Sequence, residues 1–166
     1  MRKICFLGFG TYPILAKRDK YDAGGAEFQQ VLLGRELARL GYDITFIDFD
    51  YGQKPVENID GINVMKTFMP RNKAKISSYI LNISTIIKVM RNADADIFYQ
   101  RAGIYFIPLL FCKLFNKRYI YAVAHDRCVE KERSGTKTLK KMLLNLDSRL
   151  NIRCANAVIA QTRYQK

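Results

Sequence analysis

The chain is predicted to adopt an α/β fold, a mostly parallel sheet with helices on both faces. Two features of its sequence carry that prediction. Short apolar runs that read as buried strands alternate with longer amphipathic stretches that read as helices. The adjacent glycines Gly24-Gly25 also open the first amphipathic stretch, Ala26 to Leu40, which Gly41 closes. Ile4-Cys5-Phe6-Leu7 precedes that stretch and Asp43-Ile44-Thr45-Phe46-Ile47 follows it. The result is strand, long loop, helix, strand, a βαβ unit with glycines at the helix N-terminus.

The expected elements are strands at 4–8, 43–49, 62–67, 96–100, 118–124 and 157–160. Helices are expected at 26–40, 76–92, 104–115 and 136–153. The helix at 76–92 has an apolar stripe of Ile76, Tyr79, Ile80, Ile83, Ile87 and Met90, with Lys88 and Arg91 off it. The helix at 136–153 sets Leu139, Met142, Leu143, Leu146 and Leu150 against Lys137, Lys140 and Lys141. Such a basic amphipathic helix suits a solvated face over a core stripe, or a membrane surface. Met1-Arg2-Lys3 before an apolar run has the outline of a signal peptide. Gly8, Gly10 and Pro13 break that run, so it reads as a first buried strand.

The 166 residues suit one globular domain with a proper core, and the apolar share of 49% argues against disorder. No segment approaches the roughly 20 apolar residues of a membrane span. Cys5, Cys112, Cys128 and Cys154 lack metal spacing and read as free thiols in a reducing cytoplasm. With one histidine in the chain, neither a zinc site nor any other metal site is expected. The net charge of +13 points to an anionic partner: nucleic acid, an anionic membrane surface or a sugar nucleotide. No Arg-rich run, zinc finger or RNA-recognition motif supports nucleic acid.

In a parallel sheet, ligands bind outside the carboxyl ends of the strands. The loops at 10–23 and 127–136 both leave strand carboxyl ends, so Gly24-Gly25, Tyr99 to Arg101 and His125 should converge on one edge. A helix N-terminus with glycines lets a phosphate approach unpaired N–H groups, and Gly25 is the expected contact. Arg101 at a sheet edge can meet a phosphate or carboxylate through two hydrogen bonds. Glu27 in the first helical turn complements the helix dipole, worth roughly 0.3–1 kcal/mol. Asp126 either orients the His125 ring or caps the following loop. Tyr12, Lys17, Arg18 and Lys20 lie in the long first loop, within reach of an acceptor. A dinucleotide site is the competing reading of Gly8-Phe9-Gly10. Pro13 stands where its third glycine belongs, and Asp48 and Asp50 lie too far on for the ribose acid.

The stretch Gly24 to Phe46 resembles the N-terminal signature of retaining glycosyltransferases of family 4, which have the GT-B fold. Ala95 to Arg101 resembles that family's fourth strand. Tyr119 to Asp126 resembles the strand that ends in its active-site histidine. Cys154 to Thr162 resembles the last strand before the hinge to a second domain. The resemblance implies a Rossmann-like, acceptor-side N-terminal domain over 1–166, with a donor-binding domain absent from this chain. It implies sugar transfer from a nucleotide sugar to a saccharide or lipid-linked acceptor, with no cofactor and no metal. His125 would then stand at the reaction centre and Glu27 on the acceptor side. The competing function is a non-enzymatic basic module on an anionic membrane or protein. The expected location is cytoplasmic, with possible peripheral membrane contact.

Overall fold

The computed structural model describes residues 1–18, 24–69, 82–101, 106–123 and 139–162, with side chains of 139–146 left aside. The strands are β1 (Lys3–Leu7), β2 (Asp43–Asp48), β3 (Val56–Ile59), β4 (Ile62–Lys66), β5 (Ile97–Arg101), β6 (Arg118–Ala122) and β7 (Ala157–Ile159). The helices are α1 (Tyr12–Leu15), α2 (Gly25–Arg39), α3 (Ile83–Ala93), α4 (Ile107–Leu114) and α5 (Leu139–Cys154). The strands form one sheet in the order β3-β4-β2-β1-β5-β6-β7. Every pairing is parallel except β3 with β4. The expected α/β architecture, Rossmann-like with a mostly parallel sheet, is the one observed.

The central strands are apolar on both sides, as a parallel sheet covered on both faces requires. Ile4, Phe6, Ile44, Phe46, Val64 and Tyr99 pack with Tyr12, Leu15 and Val31 on one face. Cys5, Leu7, Ile47 and Phe98 pack with Ile86 and Met90 of α3 and Leu109, Phe111 and Cys112 of α4 on the other. Phe6 and Phe46 stack with ring centroids 4.7 Å apart. The expected helix at 26–40 is α2. It ends where Gly41, at φ +86°, donates its N–H to the Ala38 carbonyl while Tyr42 donates to Leu37. That double return is the glycine-dependent Schellman ending.

Four expectations are corrected. The loop at 10–23 contains the short helix α1, which places Tyr12 in the core rather than on a cleft. Strand β3 was not expected. Asp60 and Gly61, at φ 51° and +84°, join it to β4 with Ile59 opposite Ile62. Both central residues at positive φ match the twist of an antiparallel hairpin. In α3 the inward stripe runs through Ile86 and Met90, with Ile87 packed partly against the core as expected; Ile86 is the addition to the expected stripe. Ile76, Tyr79 and Ile80 lie outside the described residues. In α5, Asp147 and Asn151 face inward while Leu150 is exposed. A polar network explains this: the Tyr119 hydroxyl lies 2.8 Å from Gln100 Oε1 and 2.9 Å from Asn151 Oδ1. Asn151 donates in turn to the Asp147 carbonyl.

Gly34 sits where α2 crosses β2. A Cβ there would lie 2.6 Å from Phe46 Cε2 and 2.7 Å from its Cζ. Phe46 is fully buried and stacked, so it has little room to yield. Gly34→Ala should therefore cost about 1–3 kcal/mol through overpacking, outweighing the roughly 1 kcal/mol gain in helix propensity. A urea melt of the variant at lower midpoint would show it; a midpoint equal to or above wild type would refute the close packing.

Asp147 supplies a second prediction. Its carboxylate is buried, and among the described residues neither oxygen has a well-aligned hydrogen-bond partner. Burial pushes its pKa up to about 7. The backbone N–H of Phe106 acts the other way without forming a well-aligned hydrogen bond. A raised folded pKa means the folded state holds the proton more tightly. The stability from this group is therefore complete below its unfolded value of 3.8 and lost as pH rises through about 7. Asp147→Asn should flatten the rise in stability on acidification between those values. It should also raise stability at pH 8 by about 1–2 kcal/mol. Asp48, pushed to about 6 by burial, has the same sign and preserves part of the slope. Urea midpoints at acid and alkaline pH for both proteins test this.

Candidate functional site

The carboxyl ends of β1, β2, β4, β5 and β6 form one edge. At its centre, the loop after β1 is tied to the end of β2 by Asp48. The Asp48 carboxylate is fully buried. It accepts hydrogen bonds from Gly10 N at 2.6 Å, Phe49 N at 2.6 Å, Thr11 Oγ1 at 2.8 Å and Tyr12 N at 2.5 Å. Burial raises its pKa to about 6 against the pull of those four donors. Sequence reasoning weighed Asp48 only as a ribose-binding acid. An acid closing an otherwise apolar strand was the signal of its structural role. Asp50 beside it pairs with Lys66 at 3.0 Å, and its pKa is lowered by the Gly52 N–H and by Lys66.

The N-terminus of α2 stands beside this loop. A Cβ on Gly10 would lie 3.5 Å from Glu27 Cγ, and one on Gly24 would lie 2.6 Å from Glu27 Oε2. Glu27 thus folds back over the N-cap residue Gly24, the position from which a carboxylate supports a helix start. Gly24 itself has no side chain to cap the helix. Gly25 differs. A Cβ there would meet nothing within 4 Å. Among the described residues, packing does not require glycine at 25. The turn after β7 closes on the same helix, with Gln161 Nε2 donating to Gln29 Oε1 at 2.9 Å.

Arg101 ends β5, one residue beyond the pairing of Leu7 with Gln100, and so lies next to Gly8 across the sheet. Its Nε is buried with no hydrogen-bond partner among the described residues. Its guanidinium stands beside the Tyr99 hydroxyl, whose pKa is raised by burial and pulled back by Arg101. An unsatisfied donor at this edge can donate to an anion. His125 and Asp126 follow the end of β6 by a few residues and lie outside the described residues, as does Lys20. Tyr12 is brought to the region only through its backbone. Its ring is 1% exposed and its hydroxyl donates to Glu57 at 3.1 Å, so it has no free surface for an acceptor. Arg18 lies over that ring at 4.9 Å, and Lys17 belongs to the opposite edge of the sheet. The carboxyl edge thus carries Gly24, Gly25 and Glu27 at the start of α2, beside the loop anchored by Asp48, and Arg101 at the end of β5.

No protein-family profile matches the chain. No curated protein sequence matches it either. Solved structures do share its fold. Sucrose-phosphate synthase from Thermosynechococcus elongatus aligns over 97% of this chain at 9% identity, with a TM-score of 0.58. MurG from Acinetobacter baumannii aligns over 100% of it at 12% identity, with a TM-score of 0.59. This chain spans 47% and 42% of those two chains. A shorter piece of the same sucrose-phosphate synthase aligns at 10% identity and TM-score 0.51, with 92% of that piece covered. The chain has the Rossmann-like fold of one half of these GT-B glycosyltransferase structures.

Gly25→Val tests whether glycine at 25 serves the fold. Its side chain would enter open space at the first helical turn. The variant should melt within about 0.5 kcal/mol of wild type, as a surface change does. Loss of more than about 1 kcal/mol in a urea titration would show that the fold itself needs this glycine.

Proposed function

We propose that this chain is the acceptor-side half of a retaining family 4 glycosyltransferase that moves a sugar from a nucleotide-sugar donor to a saccharide or lipid-linked acceptor. The observation that carries this reading is the start of α2 at Gly25, open among the described residues, on the carboxyl edge of a GT-B-like half that also carries, at the end of β5, an Arg101 Nε with no hydrogen-bond partner among the described residues. In the reaction the acceptor hydroxyl oxygen bonds to the anomeric carbon of the sugar. The bond from that carbon to the diphosphate breaks, and the acceptor proton passes to the departing phosphate oxygen. Charge accumulates on the diphosphate as it leaves. The N–H groups at Gly25 and the Arg101 guanidinium are fixed donors for it and need no reorganisation. On this reading the charge is met by protein groups and no metal is called on.

Glu27 has the acceptor side. Its carboxylate would repel a diphosphate and is suited to receive a hydrogen bond from an acceptor hydroxyl. His125 stands at the reaction centre, by the resemblance of its strand. The donor nucleotide rests mainly on a second domain, as it does when two Rossmann-like halves enclose one cleft. Free thiols at Cys5, Cys112 and Cys154 support a reducing, cytoplasmic location. Burial pushes the Cys112 thiol up to about 12, so it is inert. Among the described residues, no helix is long and apolar enough to cross a membrane.

The test is sugar transfer by a protein in which this chain is followed by a donor-binding half, assayed over a panel of nucleotide sugars with and without EDTA. Activity should survive EDTA, and the product should keep the donor's anomeric configuration. His125→Ala should lower kcat by a larger factor than it weakens nucleotide affinity, because a hydrogen bond made mainly in the transition state appears in turnover. Gly25→Val, if it folds as expected, should impair use of the donor. Strict metal dependence would overturn the mechanism. Wild-type kinetics in both variants would remove Gly25 and His125 from the site. The 166-residue chain by itself should show negligible turnover, since catalysis needs donor and acceptor held in one geometry.

A further inference from the structure

Gly10 holds its chain at φ +113°, where side chains are rarely tolerated, and donates its N–H to Asp48. The missing side chain leaves a methyl-sized notch at the carboxyl edge. A Cβ placed there would lie 3.5 Å from Glu27 Cγ, 3.8 Å from Glu27 Oε1 and 3.9 Å from the Tyr51 hydroxyl. One carboxylate oxygen and one phenol oxygen therefore face the same point. The two oxygens of Glu27 are turned different ways. Oε2 faces Gly24 at the helix start, 2.6 Å from a Cβ position there, while Oε1 faces Gly10. Among the described residues, Glu27 forms no hydrogen bond or ion pair. Gly10, Glu27 and Tyr51 are all partly exposed, so the notch can be reached from solution.

The turn after β2 fixes Tyr51 in place. The buried Gln53 side chain accepts from Tyr51 N at 2.5 Å and donates to the Phe49 carbonyl at 2.6 Å. Arg18 Nη1 donates to the Tyr51 carbonyl at 3.2 Å, and the Tyr51 ring stacks on Tyr12 with centroids 5.9 Å apart. A phenylalanine would serve that stacking. The hydroxyl adds a polar atom where the notch lies. Cations bonded to this turn are already engaged, Arg18 by the Tyr51 carbonyl and the Tyr12 ring, Lys66 by Asp50 at 3.0 Å. A phosphate or carboxylate entering the notch would be repelled by Glu27. An uncharged hydroxyl fits better, since it can donate to a carboxylate and accept from a phenol at once.

We propose that Tyr51 acts with Glu27 as the specificity-determining pair for the acceptor, and that the acceptor end they receive is a neutral saccharide. One ring hydroxyl occupies the notch at Gly10, donates to Glu27 Oε1 and accepts from the Tyr51 hydroxyl. Naming that saccharide the acceptor rests on the sugar-transfer reading. The notch and its preference for an uncharged hydroxyl stand apart from it. The pair holds ground state and transition state alike, so its loss raises the acceptor KM and leaves kcat unchanged.

Amide shifts of the isotope-labelled chain, titrated with methyl glucoside, mannoside and galactoside, each beside its uronic acid, test the proposal. A neutral glycoside should move the Gly10, Glu27 and Tyr51 amides and leave Gly41 and Gly61, at the other edge, in place. Its uronic acid should bind more weakly. Tyr51→Phe keeps the ring and should raise the Kd of the neutral glycoside about 2- to 12-fold, the worth of one hydrogen bond. Glu27→Gln should narrow the gap between the glycoside and its acid, which a purely structural role would not do. The dispersion of the same spectra checks the fold of each variant. The proposal is overturned by no shift at Gly10 with any glycoside, or by an acid that binds as well as its parent. An unchanged Kd in Tyr51→Phe or an unchanged gap in Glu27→Gln overturns it too. In the two-domain transfer assay, Tyr51→Phe should raise the acceptor KM by the same factor as the Kd. Transfer with wild-type KM in that variant would sink this inference and leave the transfer reading standing. Glycoside binding at Gly10 without transfer from any donor would do the reverse, keeping the saccharide seat and removing its acceptor role.

Discussion

The geometry of the carboxyl edge depends on one buried carboxylate. Asp48 closes β2 without any solvent exposure and gathers three backbone N–H groups and a hydroxyl from Gly10, Thr11, Tyr12 and Phe49. Those groups belong to a loop that would otherwise bury unsatisfied donors between sheet and helix. Removing the carboxylate would leave several donors unpaired at once, where each costs about 1–3 kcal/mol. With it in place, the chain turns sharply after β1, forms α1 and sinks Tyr12 and Leu15 into the core. Gly10 is held near Glu27, so the start of α2 is positioned by the same interaction. Desolvation of Asp48 is the cost of this arrangement, visible as a pKa raised to about 6.

The glycines of this region do different physical work. At Gly34 a Cβ would collide with the stacked Phe46, and at Gly8 it would lie 2.6 Å from Thr11 Oγ1 and 2.8 Å from Phe46 Cδ1. These two glycines let backbone approach side chains closely. Gly24 makes space for the returning Glu27 carboxylate. Gly25 makes space for nothing within the described protein. A residue type that packing does not demand, at the open end of a fifteen-residue helix, is the feature of this edge that most directly invites an anion. Arg101 adds the complementary feature, a buried donor without an acceptor among the described residues.

The sheet separates two kinds of chemistry by the direction of its strands. At the carboxyl edge, loops and a helix N-terminus expose N–H groups around a rigid anchor. At the amino edge, helices end, and their last turns bring cations and leucines together over two cavities. The cavities lie away from the site, whose own edge is open, as one side of a cleft is.

Much of this was legible in the sequence. The βαβ unit, the order of strands and helices and the parallel sheet follow from apolar periodicity and from Gly24-Gly25 and Gly41, because burial on both faces and helix endings leave local marks. The Asp60-Gly61 hairpin also left its mark, but a four-residue strand beside it is too short to show period-2 alternation. Other features were decided only by tertiary structure. Tyr12 reads as a polar loop residue until Asp48, 36 positions away, folds its backbone into a helix and its ring into the core. Leu150 reads as core until Tyr119 and Gln100 supply partners that draw Asn151 inward instead. The openness at Gly25 and the unsatisfied Nε of Arg101 are likewise properties of surroundings. Local sequence records what a residue prefers. Which donor meets which acceptor depends on segments brought together by the sheet, and that pairing has no local signature.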